Sequence, residues 1–287
     1  MLAQRNLRHG RDFFLCFSPE RIDPGNKDYP VNKIPKVIGG ISKEATTLGA
    51  LVYKNIIDKV VPVSSARTAE AVKLLENTFR LVNIGLIDEL AMMCHKMNIN
   101  IWEVIEAAKT KPFGFMPFYP GPGCGGHCIP KDPLYLHWKA RHHGFDSRFI
   151  KLASDIITYM PEYVAERVIN LLQKKGKKLN KIKILVIGVT YKKDIKDLRK
   201  SPSLDIIDIF QKKNIVVSYY DPIIPYLKLN HIDLKSISLN KQQLMKFDCV
   251  IIAVDHSSLD YEFILDNSNL IFDTRNVYNG FKNGKVI

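Results

Sequence analysis

The chain has 287 residues, 46% hydrophobic and 25% charged, and its 42 Lys and Arg against 29 Asp and Glu leave a formal charge of +13. At roughly 100–200 residues per domain this length suits two domains, perhaps with a third partial one, which argues against disorder as the main state. No apolar run approaches the ~18 residues of a bilayer span, and Met1 to Arg11 lacks an apolar signal core, so neither a membrane-spanning nor a secreted protein is expected.

From Asp12 to Val63 the sequence is strand-like and interrupted, with Phe13–Phe17, Val37–Gly40 and Val60–Val63 as the apolar pieces, and it reads as the end of an α/β domain. Ser64 and Ser65 are N-cap candidates for one long helix from Thr68 to about Met97, whose apolar positions Ala69, Val72, Leu75, Phe79, Val82, Leu86 and Leu90 recur at helical spacing. A second helix is predicted near Ile101–Ala108, then a Pro/Gly-dense stretch from Lys111 to Pro133, then helix over Leu134–His142 and Ser154–Lys175. At Ile182–Val189 the pattern turns to a buried strand, and Ser201-Pro202 opens a helix with proline in its first turn. Further strands are expected at Asn214–Tyr220, Asp248–Val254 and Leu270–Asp273, with short helices between them, which implies a parallel, doubly wound sheet.

The positive charge invites an anionic partner: nucleic acid, a membrane surface or a phosphate-bearing small molecule. The densest basic stretches, Lys174–Lys178 and Lys192–Lys200, carry little aromatic interleaving and no nucleic-acid module signature, so most of the charge reads as solvated surface. Cys16, Cys94, Cys124, Cys128 and Cys249 are an odd, scattered set, which argues for a reducing cytosol rather than a disulfide framework.

Gly121-Pro-Gly-Cys-Gly-Gly126 formally matches the G-x-G-x-x-G dinucleotide loop, but Pro120 and Pro122 break any strand before it. His127–Pro130 is not expected to open the required helix, which is expected to begin at Asp132-Pro133. The glycine density suggests instead close approach of a substrate to the backbone. A zinc site from Cys124, His127, Cys128 and Asp132 lacks a second Cys pair, and a single nucleophilic Cys128 is the better functional reading; a buried, inert Cys128 and an N-capping Asp132 are the plain alternative. Lys73 and Asn77 share one face of the long helix, where two hydrogen-bond donors could stabilise an oxyanion or simply be solvated. Glu20, in Ser18-Pro-Glu-Arg21, follows an aromatic strand, where α/β sites gather.

In this order these segments resemble the UDP-glucose/GDP-mannose dehydrogenase family, most closely its UDP-N-acetylhexosamine 6-dehydrogenase branch. The resemblance rests on Phe17–Arg21, Ala69–Arg80, Pro120–Pro133, Gly188–Asp194 with Asp197–Arg199 and Ser201-Pro202, and Phe272–Asn276. It implies an α/β fold with a central helical dimerisation domain and a C-terminal Rossmann-like parallel sheet. The expected division is residues 1–63 as the remnant of an N-terminal NAD-binding Rossmann domain, 64–178 as the helical domain with the cysteine loop, and 179–287 as the UDP-sugar-binding domain. Since no strand followed by G-x-G-x-x-G precedes Asp12, about a domain's worth of the family's first domain is expected to be missing.

The resemblance further implies oxidation of a sugar C6 alcohol to the carboxylate with two NAD+, serving surface polysaccharide precursors in the cytoplasm. Cys128 matches the nucleophile that forms a thiohemiacetal and then a thioester. Lys73 and Asn77 match the oxyanion stabilisers, Asp132 the carboxylate that handles protons with Lys73, and Glu20 a glutamate assisting thioester hydrolysis. Where glucose-type members carry a second acidic residue, Pro24 stands here. Lys192, Arg275 and Gly125 match substrate-binding positions, and Arg199 and Lys131 cofactor-side positions. No metal and no nucleic acid are implied; the partners are a UDP-sugar and a second copy of the chain, joined through the long helix. The alternatives are a non-catalytic nucleotide-sugar-binding remnant, or a UDP-glucose-type substrate.

Overall fold

The computed structural model describes residues 5–26, 28–229, 231–279 and 284–287; the first four residues of the N-terminal reading lie outside them. The chain divides into two compact units, one up to Phe79 and one from Arg80 onward.

In the first unit, β1 (Cys16–Phe17), β2 (Lys36–Gly40) and β3 (Val60–Pro62) form a sheet in that order, β1 antiparallel and β3 parallel to β2. Between β2 and β3 runs α1 (Lys43–Lys54), a helix where the sequence reads only as interrupted strand. Its start is capped by Ser42, whose Oγ accepts the Ala45 N–H at 3.2 Å. Its buried face is Ala45, Thr46 and Ala50, while Leu51 and Val52 are exposed. A helix that buries small residues and exposes large ones lacks the apolar stripe by which helices are recognised.

The long helix α2 (Ala66–Lys96) is capped by Ser65, whose Oγ accepts the Thr68 N–H at 3.1 Å, as the serine pair suggests. The boundary between the units falls within it. The second unit contains the rest of α2, then α3 (Ile101–Ala108), α4 (Cys128–Arg141) and α5 (Arg148–Lys174). Helices α2 and α5 meet at Gly85, where a Cβ would lie 2.9 Å from the Ala153 Cα, beside a cluster of Leu81, Ile150 and Ile157.

The C-terminal sheet has the order β5 (Val216–Tyr220), β4 (Lys183–Ile187), β8 (Cys249–Ile252), β9 (Ile271–Asp273), all parallel. The side chains of β4 alternate: Ile184 and Val186 face α5 and α6 (Pro202–Lys212), while Leu185 and Ile187 face Leu244 of α7 (Lys241–Leu244) and Ile264 of α8 (Tyr261–Asn267). Helices on both faces make the α/β, Rossmann-like sheet that the sequence implies. An antiparallel hairpin, β6 (Tyr226–Leu229) and β7 (Ile232–Lys235), is additional to that reading. The chain steps outward from β4 to β5 and then crosses back to β8, so the crevice beyond the carboxyl ends of β4 and β8 is the topological switch point where such sheets take ligands. Among the described residues no helix is long and apolar enough to cross a membrane.

Candidate active site

The residues picked from the sequence fall into two groups, one in each unit. In the first, the Lys73 ammonium donates to the Glu20 carbonyl oxygen at 2.8 Å, joining positions far apart in the chain. The loop holding Glu20 is fixed by Arg21, which makes a two-pronged bond to Glu76 of α2 at 2.6 and 3.2 Å and a third to the Pro35 carbonyl at 2.7 Å. The Glu20 carboxylate accepts the N–H groups of Arg21 and Ile22 and the Lys36 ammonium at 3.1 Å. Partial burial works to raise its pKa, but these donors outweigh it and hold the carboxyl below its usual range. Glu20 is therefore ionised at neutral pH, able to accept a proton rather than supply one. Asn77 lies four residues beyond Lys73 on α2, on the same side of the helix.

In the second unit, α4 begins at Cys128, with His127 as its N-cap residue. This corrects the expectation that His127–Pro130 cannot open a helix and that the helix starts at Asp132-Pro133. Pro130 sits in the first turn, where a backbone N–H has no intrahelical partner and its absence costs nothing. Asp132 is thus inside the helix rather than its cap, four residues after Cys128 and on the same face, with Lys131 beside it. The dinucleotide-loop reading of Gly121–Gly126 still fails, because no strand leads into it.

The same glycines also make close contacts within the protein. A Cβ at Gly125 would lie 2.6 Å from the Tyr191 Cβ and 2.7 Å from the Lys200 carbonyl, and one at Gly121 3.0 Å from the Arg275 guanidinium. Gly126, at φ +86°, donates its N–H to the Arg199 carbonyl at 2.8 Å. The missing side chains let the loop lie flat on the segments following β4 and β9.

Two cysteines flank this turn in different surroundings. Burial, with the nearby Asp88 charge, pushes the Cys124 thiol up to about 12, so it stays protonated at neutral pH. Cys128 is the first residue of α4 and lies within electrostatic range of Arg199. The Arg199 head is held by the Asp197 carboxylate at 2.6–3.1 Å.

At the carboxyl end of β9, Arg275 donates from Nε to the Ala253 carbonyl at 2.8 Å, and its N–H bonds Asp273. Its guanidinium lies within electrostatic range of Asp88 of α2, which is fully buried and accepts the Gly121 N–H on Oδ1 at 3.0 Å, while Oδ2 has no hydrogen-bond partner among the described residues. Burial pushes the Asp88 carboxyl up to about 7, against the lowering pull of the Gly121 bond and Arg275. Asp88 is absent from the sequence reading; an acidic residue on the inward side of an apolar helix is the signal that marks it. Lys192, in the loop after β4, is half-buried at the switch point.

Among the described residues no three His, Cys, Asp or Glu side chains converge on a metal-binding centre, and all five cysteines are unpaired. No strand, glycine-rich turn and helix of dinucleotide-binding type is found among them either. The turn after β4 has one glycine, Gly188, whose Cβ would lie 2.4 Å from the Val254 Cβ, and its next N–H is taken by Asp221. These residues do not fit the adenine dinucleotide by themselves.

The sheet order and its switch point define a doubly wound, ligand-binding α/β domain, and the comparisons name the family. The chain belongs to the UDP-glucose/GDP-mannose dehydrogenase family: residues 67–157 match its central domain and residues 185–280 its UDP binding domain. The first match contains Lys73, Asn77, Cys128 and Asp132, the second Lys192, Arg199 and Arg275. The chain is 34% identical over 274 residues to the UDP-N-acetyl-D-mannosamine dehydrogenase of Methanococcus vannielii, covering 93% of this chain and 61% of that protein. It is 36% identical over 252 residues to the UDP-N-acetyl-D-glucosamine 6-dehydrogenase of Pseudomonas aeruginosa, covering 88% and 59%. The solved UDP-D-ManNAc dehydrogenase of Pyrococcus horikoshii superposes with a TM-score of 0.84 at 32% identity, over 96% of this chain and 64% of that one. The chain spans about three fifths of the length of the curated relatives it matches.

Proposed function

We propose that this chain supplies the UDP-sugar site and the catalytic cysteine of an NAD-dependent 6-dehydrogenase acting on a UDP-N-acetylhexosamine. The observation that carries the reading is Cys128, the first residue of a helix with Asp132 on its face, on a glycine loop seated against the switch-point crevice. The relatives' names favour an N-acetylhexosamine over glucose. The proposed division is 1–63, 64–178 and 179–287, with a cytoplasmic setting supported by five unpaired cysteines. Homodimerisation is supported by Leu75, Phe79 and Leu86, which form a stripe on α2 and are 68%, 47% and 51% exposed.

In this reading Arg275 and Lys192 meet the diphosphate, a pairing of planar and point cations with an anion. The Cys128 thiolate adds to the C6 carbonyl carbon of the aldehyde-level sugar; Lys73 and Asn77 donate to the resulting oxyanion. At the acyl stage water attacks the thioester carbon, the carbon–sulfur bond breaks, and Asp132 and Glu20 take up the proton from water. Arg199 and Lys131 would stand on the side of a nicotinamide dinucleotide, which, held by a domain beyond these residues' own reach, would supply the two-electron oxidant at each stage.

The test is UDP affinity by calorimetry together with NADH and uronate formation from UDP-N-acetylglucosamine, UDP-N-acetylmannosamine and UDP-glucose. Affinity with turnover of an N-acetylhexosamine is expected. Affinity without NADH points to a nucleotide-sugar-binding remnant, turnover of UDP-glucose alone overturns the substrate assignment, and no affinity for UDP overturns the whole reading.

A further inference from the structure

The C-terminal crevice contains a buried histidine that no step above uses. His256, fully buried in the loop after β8, touches both neighbouring loops at the switch point. Its Nδ1 accepts the Asp194 N–H at 3.0 Å, which leaves Nε2 as the donor nitrogen of the ring. That nitrogen faces Asp221 Oδ2 at 3.2 Å and Thr190 Oγ1 at 3.3 Å. The Thr190 hydroxyl in turn donates to the Lys192 carbonyl at 2.9 Å. One imidazole therefore grips the chain two residues before and two residues after Lys192.

The grip is anchored on both sides. Asp221 also accepts the N–H groups of Val189, Ile223 and Ile224 at 2.7–3.0 Å, tying the loop after β5 to that after β4. The Asp194 carboxylate accepts the Ser257 N–H at 2.9 Å and its hydroxyl at 2.6 Å. Asp194 has φ +61°, a left-handed conformation costly to a residue other than glycine and held only where its surroundings over-determine it. A loop left to itself would relax from that conformation and carry Lys192 with it.

We propose that His256 is a positioning residue for the nucleotide-sugar site, clamping the Thr190–Asp194 loop so that Lys192 is set for the diphosphate before the ligand arrives. The clamp rests on the UDP-sugar reading above. Its benefit is pre-organisation: the ordering of the loop is complete in the folded protein and is not charged against binding.

The probe is UDP, its affinity for the whole chain measured by calorimetry. Thr190→Val, which leaves His256, Asp221 and Asp194 in place, is expected to weaken UDP binding about tenfold, and Thr190→Ser to restore it. His256→Asn is expected to weaken it at least as much. In a Lys192→Ala background neither substitution costs more affinity, because the clamp acts through Lys192. Losses that add to that of Lys192→Ala, or unchanged affinity in Thr190→Val and His256→Asn, overturn the clamp while the UDP reading stands. Failure of the unsubstituted chain to bind UDP overturns that reading and the clamp together.

Discussion

The glycine-rich segment from Gly121 to Cys128 and the crevice at the ends of β4, β8 and β9 meet in one unit, yet they are built on opposite terms. The segment is shaped by what it lacks: side chains at Gly121, Gly125 and Gly126 would collide with Arg275, Tyr191 and Lys200. The crevice is shaped by what it buries: Asp88, Asp221 and His256, all at most 4% exposed, two of them in one hydrogen-bond network. Damage to the first is steric, whereas damage at Asp88 is electrostatic and follows the protonation of its carboxyl.

The largest effect is expected at the thiol. Cys128→Ser should lower uronate formation more than a thousandfold while leaving UDP affinity within about twofold, and Cys124→Ser should change turnover by less than about threefold. Equal losses from both would erase the distinction between a cysteine at a helix end and one that burial keeps protonated. Lys73→Ala should reduce kcat by one to three orders of magnitude with a smaller change in KM; a pure KM effect would make Lys73 a binding group.

Gly125→Ala should destabilise the chain by roughly 1–3 kcal/mol in chemical denaturation, since neither the Lys200 carbonyl nor the Tyr191 Cβ can give way without moving backbone. Gly144→Ala, with nothing within 4 Å, should cost only the strain of its φ of +75°, about 1 kcal/mol. Equal costs would mean that the loop does not depend on its close contacts.

Asp88→Asn keeps the Gly121 acceptor and removes the charge. Its carboxyl, at about 7 in the folded protein, ionises there later than in the unfolded chain, so the native state loses stability as pH rises from about 4 to 7. The substitution should therefore leave the melting temperature unchanged near pH 4 and raise it at pH 8, by on the order of 1–4 kcal/mol of stability. The same gain at both pH values would show that Asp88 does not carry the titration.

Much of this molecule is legible in its amino-acid order. The long helix and its serine cap, the Ile101–Ala108 helix, the proline-opened α6 and the four parallel strands all carry local signals: apolar period, cap residue, β-branched run. Helix α1 does not, because its buried face is alanine and threonine. The start of α4 at Cys128 is hidden by Pro130, which looks like a helix breaker and is harmless in a first turn. Leu75, Phe79 and Leu86, apolar positions at helical spacing, are exposed. Periodicity identifies a face without saying what covers it.

For the site, the sequence by itself determined the chemical inventory: a cysteine on a glycine turn, a lysine and asparagine one helical turn apart, and basic residues after two strands. Only the tertiary structure decided which of them act on one another. The Lys73 bond to Glu20, the unequal surroundings of Cys124 and Cys128, the Asp88 to Arg275 pairing and the His256 clamp join positions distant in the chain. Charge, burial and hydrogen bonding depend on distances in space, and a linear pattern records only distances along the chain.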